Sequence, residues 1–125
     1  MTAMGQQKAQ RRSKQKARAA TFAITVTFEL IKGGLPEFHR LVSENAALSV
    51  KLEPDCLRFD VLTPLDATGS TGVFLYEIYT DRAAFDLHLA SDHFRQFDQR
   101  SRDLVINKTV LAYAVLENAK VAERI

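Results

Sequence analysis

Phe22, Ile24, Val26, Phe28 and Leu30 recur at every second position, with Thr25, Thr27 and Glu29 among the residues between them. A period of two places all five apolar side chains on one face of an extended strand, so the chain must supply a layer that covers one side of a sheet. Gly33 and Gly34 punctuate the strand, and Pro36 suits the first turn of a helix, where its missing N–H costs nothing. Phe38, Leu41, Val42, Ala46, Ser49 and Leu52 then mark a helical stripe. Its end is expected near Glu53, because Pro54 disfavours helical geometry in the residue before it.

Alternation resumes from Cys56 to Thr63, with Leu57, Phe59 and Val61 on one side and Cys56, Arg58, Asp60 and Leu62 on the other. Pro64 to Gly72 reads as a loop, and Val73 to Tyr79 as a third strand whose Phe74, Tyr76 and Ile78 face away from Leu75, Glu77 and Tyr79. Asp81 is a suitable N-cap for a second helix in which Phe85, His88 and Leu89 share a face. Ser91 either interrupts or re-caps that helix before Phe94, Phe97, Leu104 and Val105 continue the apolar pattern. The last strand is expected over Thr109 to Glu117. This order is the α+β class with a ferredoxin-like βαββαβ arrangement, an antiparallel sheet with both helices on one face. Val110, Ala112, Ala114 and Leu116 alternate with Leu111, Tyr113 and Val115, so the last strand is apolar in both directions. Self-association as a homodimer is the expected cover for the second face.

A chain of 125 residues with 46% hydrophobic content builds one core. Residues 1–20 are expected to be a disordered basic tail, 21–118 the folded domain and 119–125 a short extension. The net charge of +2 conceals a split, because the tail holds six of the 17 basic residues and no acidic one. The remaining 11 face all 15 acidic residues, a body near −4. Such a body does not suit a phosphate-tracking nucleic-acid surface. The tail and the apolar residues after it do not form a secretory signal, since Thr25, Thr27 and Glu29 break the apolar stretch. No run reaches membrane-spanning length. Cys56, the only cysteine, has no partner for an internal disulfide and fits a reducing, cytoplasmic setting.

Three motifs follow in order: Glu53-Pro54-Asp55-Cys56-Leu57-Arg58-Phe59-Asp60-Val61, Tyr76-Glu77-Ile78-Tyr79, and Ala83-Ala84-Phe85 with His88-Leu89, Ser91 and His93-Phe94. Together they resemble the antibiotic-biosynthesis monooxygenase family, over Phe22 to Glu117. That family's usual first motif is E-P-G-C-L-R-F-D-V. Asp55 stands where the glycine usually does, a residue that tolerates left-handed geometry. The resemblance implies a dimeric α+β barrel with a pocket between each sheet and its own helices. The family includes cofactor-free oxygenases of phenols and quinols, haem-degrading enzymes, and an isomerase of a phosphorylated autoinducer whose L-R-F-D-V-L segment matches Leu57 to Leu62. The haem branch uses a tryptophan and a histidine ligand. This chain has no tryptophan, and the two positions fall at His88 and Asp98.

His88 is the candidate catalytic residue, because an inward imidazole beside Phe85 and Leu89 can take a proton from a phenol. The competing reading is a hydrogen-bonded core histidine. His93 lies five residues on, about 140° around an uninterrupted helix, so the two histidines are not expected to share a metal, and His93 reads as structural. His39 reads as exposed. Arg58 and Asp60 either pair with each other or orient a polar substrate; Tyr76 and Tyr79 point to opposite faces, so one at most lines a given pocket. Glu77 reads as paired across the sheet or as a dimer contact. Asn45, Ser49 and Phe85 complete the candidate substrate-binding set with Arg58, Tyr76 and Tyr79. The expected activity is cofactor-free, metal-free oxygenation of a phenolic or quinol-like molecule by dioxygen. An isomerase of a small dicarbonyl compound, phosphorylated or not, and a non-catalytic dimeric ligand-binding module are the alternatives.

Overall fold

The structure, a computed structural model, describes residues 19–65 and 71–119. The expected basic tail up to residue 18, the centre of the loop at 66–70, and residues 120–125 of the extension lie outside the described residues.

Among the described residues, four strands and three helices follow in the order β1 (Phe22–Leu30), α1 (Leu35–Leu52), β2 (Cys56–Leu62), β3 (Thr71–Tyr79), α2 (Arg82–Leu89), α3 (Asp92–Ser101) and β4 (Val105–Ala114), with one 3-10 turn at Arg102–Leu104. The sheet order is β2-β3-β1-β4, antiparallel throughout. This is the ferredoxin-like α+β arrangement. Gly33 makes the turn out of β1 at φ +80°, a conformation that a side chain would strain. Gly34 does a different job, since a Cβ there would sit 3.1 Å from the Ile31 Cγ1 atom.

The alternating residues of β1 bury one face: Ile24, Val26, Phe28 and Leu30 meet Phe38, Leu41 and Val42 of α1 and Phe97 of α3. Phe28 and Phe38 lie with ring centroids 4.8 Å apart, and Phe97 meets Phe38 edge-on at 5.5 Å. Each fully buried aromatic of this kind stabilises the fold by about 1.5–3 kcal/mol. Pro36 occupies the first turn of α1, and Glu53 ends the helix in extended geometry (φ −103°, ψ 105°) with its N–H donating to the Ser49 carbonyl at 3.0 Å. Pro54 accounts for that extended conformation.

Four expectations need correction. The last strand runs over Val105–Ala114 and not from Thr109 to Glu117, because it pairs along the whole of β1, from Leu30 opposite Val105 to Phe22 opposite Ala114. Polar Asn107 and Lys108 masked its beginning; Asn107 reaches Glu29 of β1 at 2.9 Å. The third strand starts two residues early, at Thr71. In β2 the register shifts between Cys56 and Arg58, so Cys56 packs with Tyr79 and Phe59 on the helix side instead of sharing a face with Arg58. Finally, no residue other than glycine has positive φ among those described, so Asp55 needs no left-handed tolerance; its carbonyl accepts from Thr80 N–H at 3.1 Å.

The other face of the sheet carries rows fixed by the register: Arg58, Ile78, Ala23 and Tyr113 in one, and Asp60, Tyr76, Thr25 and Leu111 in the next. No described helix is long and apolar enough to cross a membrane.

Candidate active site

Three chain segments converge under the helix-covered face of the sheet. The first is the end of α1. Asn45 and Ser49 lie one helical turn apart and are both buried, and the Ser49 hydroxyl donates to the Asn45 carbonyl at 2.7 Å. Glu53 follows at the C-cap, where the extended backbone imposed by Pro54 carries its carboxylate out of the helix and toward α2 and α3.

The second segment is the pair α2 and α3. Asp81 caps α2 by accepting from Ala84 N–H at 2.8 Å. The chain breaks at Ala90, and Ser91 caps α3 by accepting from Phe94 N–H. The Ser91 hydroxyl also donates back to the His88 carbonyl at 2.6 Å. This break overturns the expectation drawn from a single continuous helix. His88 Nδ1 lies 2.9 Å from Glu53 Oε2, and His93 Nε2 lies 2.5 Å from the same oxygen. His93, read from spacing as a structural residue apart from His88, therefore belongs to the same cluster.

The third segment is β3. Glu77 and Tyr79 point to the helix side, where the Tyr79 hydroxyl donates to Glu77 Oε1 at 2.6 Å. Glu77, expected to be paired across the sheet or in a dimer contact, is instead buried on the helix side with Tyr79 of its own strand as its hydrogen-bond partner. His88 Nε2 faces the same oxygen at 4.0 Å.

Charge and burial set the protonation pattern. Burial raises the Glu53 carboxyl, but hydrogen bonds and charge from His88 and His93 outweigh it and hold the group below the usual carboxylate range. An ionised Glu53 only accepts hydrogen bonds, so His88 presents Nδ1–H and His93 presents Nε2–H to it. In neutral His88 the lone pair is then on Nε2, on the side of Glu77. Glu77 itself is pushed above its ordinary range, by burial first, against the hydrogen bond from Tyr79. The Tyr79 hydroxyl is raised far beyond its usual value by burial and by the neighbouring Glu77 charge. It stays a donor.

His88 is 2% exposed and ringed by aromatics: Phe85 stacks near it with centroids 6.1 Å apart, and Phe94 and Phe59 tilt against it at 5.1 and 6.0 Å. These rings, with Phe28, Asn45, Glu77 and Lys108, line a small pocket that opens to solvent. Lys108 Nζ lies 5.6 Å from the ring centroids of Phe28 and Phe94, and 4.0 Å from Asp98. A cation thus stands beside a lining in which Asn45, Glu77 and His88 are the other polar groups.

Of the residues singled out from the sequence, His88, Phe85 and Asn45 line this pocket, while Ser49 touches His88 Nδ1 at 3.3 Å and Tyr79 reaches the lining only by its hydrogen bond to Glu77. Arg58 and Tyr76 are not brought there. They lie on the opposite face, where Arg58 binds Asp60 at 2.6 Å and its guanidinium covers the Tyr76 ring at 5.7 Å. His39 is exposed on α1, as expected. Glu53 and Lys108 went unrecognised: Glu53 was read only as a helix end, and Lys108 fell before the expected start of the last strand. The opening Glu53 of the first motif, with the two histidines of the third, was the available signal.

The model of the antibiotic biosynthesis monooxygenase family matches residues 21–100, which span the whole Glu53, His88 and His93 cluster. The chain belongs to this family. Solved structures agree with the family fold. A candidate antibiotic biosynthesis monooxygenase from Bacteroides thetaiotaomicron superposes with a TM-score of 0.73 at 21% identity, covering 83% of this chain and 97% of the other. A second candidate, from Nitrosomonas europaea, gives 0.73 at 22% identity and covers 79% and 93%. Rv0793 from Mycobacterium tuberculosis gives 0.72 at 20% identity and covers 81% and 100%. At such identities the likeness establishes the fold alone. No curated protein matches the chain.

Proposed function

We propose that this antibiotic-biosynthesis monooxygenase family member is a cofactor-independent oxygenase of a phenolic or quinol-type small molecule, with His88 as its general base and residues 21–118 as its folded domain. One observation carries the reading. His88 is buried, its Nδ1 is held by an ionised carboxylate, and its Nε2 lies on the side of Glu77, which lines the aromatic pocket with it. A base oriented by a carboxylate through its far nitrogen is the arrangement that general base catalysis requires.

In this reading the pocket binds an aromatic ring between Phe85, Phe94 and Phe59, and His88 Nε2 takes a hydroxyl proton. The resulting anion is electron-rich enough to pass one electron to dioxygen. The radical pair recombines to a hydroperoxide, which loses water and leaves a new carbonyl. One oxygen atom ends in the product and the other in water, and the substrate supplies both electrons. Lys108 is placed to pair with the anion once formed.

The isomerase reading relied on Arg58 for a phosphate, and Arg58 lies on the other side of the sheet, tied to Asp60. The open sheet face supports the homodimer. Leu111 and Tyr113 stand 51% and 46% exposed at its β4 edge, and Leu62 and Phe74 stand 48% and 37% exposed at the β2 end. A second copy laid face to face would bury all four.

The test is oxygen uptake with a panel of substituted hydroquinones and naphthohydroquinones in the presence of chelator. Stoichiometric oxygen consumption with formation of an oxidised ring supports the reading. Anaerobic isomerisation of a dicarbonyl compound, with no oxygen uptake on any quinol, overturns it.

A further inference from the structure

We propose that Glu53, His88 and His93 form a binding site for one divalent transition-metal ion, and that the bound and metal-free forms hold His88 in opposite tautomers. The donor atoms Glu53 Oε2, His88 Nδ1 and His93 Nε2 all lie within 4.8 Å of one another. They come from three separate elements, the end of α1, α2 and α3. Both ring nitrogens aim at a single point, now held by Glu53 Oε2 at 2.9 and 2.5 Å. A metal at that point needs ring nitrogens at about 2.0–2.1 Å and a carboxylate oxygen at about 2.0–2.2 Å. The rings therefore shift little, and the carboxylate draws back. Glu53 is the member able to yield, because it stands past the last helical turn in extended geometry. His88, by contrast, is fixed among Phe85, Phe94, Phe59 and Tyr79.

The donor set is chemically selective. Two imidazoles and one carboxylate suit zinc or ferrous iron, and poorly suit calcium or magnesium, which take oxygen ligands. Three protein ligands also leave a position open for a water or an exogenous group.

A second observation points the same way. A histidine that binds a metal through one nitrogen commonly donates its other N–H to a carboxylate. His88 Nε2 faces Glu77 Oε1 at 4.0 Å, and Glu77 is itself anchored by the Tyr79 hydroxyl. The outer carboxylate thus stands on the side of the correct nitrogen, beyond hydrogen-bond distance, and would close on it when the metal binds. Glu53 and Glu77 together would offset the charge of a dication in a region where the three ligands are 14%, 2% and 8% exposed.

Occupancy has a consequence for the proton. Metal on Nδ1 requires the proton on Nε2, the reverse of the metal-free form, in which Nδ1–H donates to Glu53. A bound metal thus removes the lone pair that the oxygenase reading uses; that consequence rests on the proposed function, whereas binding and tautomer do not. Metal availability would then switch the site off.

The experiment uses the full chain, stripped with a chelator and titrated with Zn(II) alone by calorimetry, with Co(II) as the spectroscopic substitute. Expected are one Zn(II) per chain, visible ligand-field bands with Co(II), and transfer of the His88 proton from Nδ1 to Nε2 in 15N-resolved imidazole spectra. Glu53→Gln, His88→Gln and His93→Gln should each weaken binding by at least about a hundredfold, the upper end of what loss of an outer-shell partner costs. His39→Gln, on the exposed face of α1, should leave it unchanged. Absence of stoichiometric binding would show a hydrogen-bonded triad only and overturn the site. Binding that survives all three substitutions would overturn it as well. Should a variant fail to fold, the wild-type Co(II) form decides: hyperfine-shifted ring protons from two histidines support the assignment, and their absence sinks it. Binding with His88 Nε2 unprotonated would overturn the tautomer switch.

Discussion

Glu53 holds His88 by its Nδ1 at 2.9 Å across 35 residues of sequence. That contact joins the residue that caps one helix to the buried stripe of the next, and it leaves Nε2 of His88 on the side of Glu77. If His88 is the base, His88→Gln should lower turnover of a quinol by about a hundred- to ten-thousandfold. Its melting temperature should fall only modestly, since the amide replaces part of the imidazole's hydrogen bonding. Turnover number and melting temperature measured on the same preparation decide between the base and a core histidine. Near-normal turnover with a lower melting temperature would remove His88 from the chemistry.

Glu53→Gln tests the positioning role separately. Glutamine keeps the volume but can present an N–H, so Nδ1 is no longer required to donate. The proton can then sit on Nε2, where it blocks the base. Turnover should drop while substrate KM changes little, because Glu53 does not line the pocket. A rise in KM with unchanged turnover would show that Glu53 shapes binding rather than the state of His88.

The fold was largely legible in the sequence, and the reason is periodicity. The alternation of Phe22 to Leu30 and the stripe from Phe38 to Ser49 each report burial on one side, which is a local property. The cluster at Glu53 was less legible, since it depends on where two helices break. A shift from one continuous helix to two, set by the Ser91 hydroxyl, brings His93 from about 140° away on a continuous helix to the same carboxylate oxygen as His88. Alternation puts Arg58 on a face with Asp60, and Tyr76 opposite Tyr79, as the register has them, but alternation does not say which face carries the helices. Cys56 misled for a further reason: a bulge changes side-chain parity, and nothing in the residues around it marks one.

Ser91 should accordingly matter more than an ordinary cap. Ser91→Ala removes the acceptor for Phe94 N–H and the donor to the His88 carbonyl. A stability loss of about 0.5–2 kcal/mol is expected from the cap. Because the same hydroxyl sets the break between α2 and α3, the contact of His93 with Glu53 should loosen as well. Imidazole NMR of His93 would read this as weaker protection of its Nε2 proton; an unchanged signal beside a lowered melting temperature would reduce Ser91 to a cap.

The homodimer is tested at the open face. Leu111→Lys with Tyr113→Asp places two charges on the apolar edge of the sheet without touching the pocket. Wild-type protein should scatter light as a dimer at micromolar concentration, and the double variant as a folded monomer. A wild-type monomer, or a variant that remains dimeric, would move the interface elsewhere.

Glu77 gives a pH-dependent expectation. Burial raises its carboxyl above the usual range in the folded protein, against a hydrogen bond from Tyr79 and the nearby His88. For an acid whose folded pKa lies above its unfolded one, the folded state binds the proton more tightly. Below the unfolded value both states are protonated and no penalty arises; as pH rises past it, the unfolded chain releases its proton first and stability falls. The loss grows until the pH passes the folded value. Glu77→Gln removes the titration and keeps an oxygen to accept from Tyr79. The variant should therefore melt higher than wild type at neutral pH, and the difference should shrink toward zero below about pH 4, under the ordinary carboxylate value. Melting curves of both proteins across this range would show it. A variant less stable than wild type at neutral pH would mean that Glu77 is ionised and paired in the folded protein, and would reverse the sign argued here.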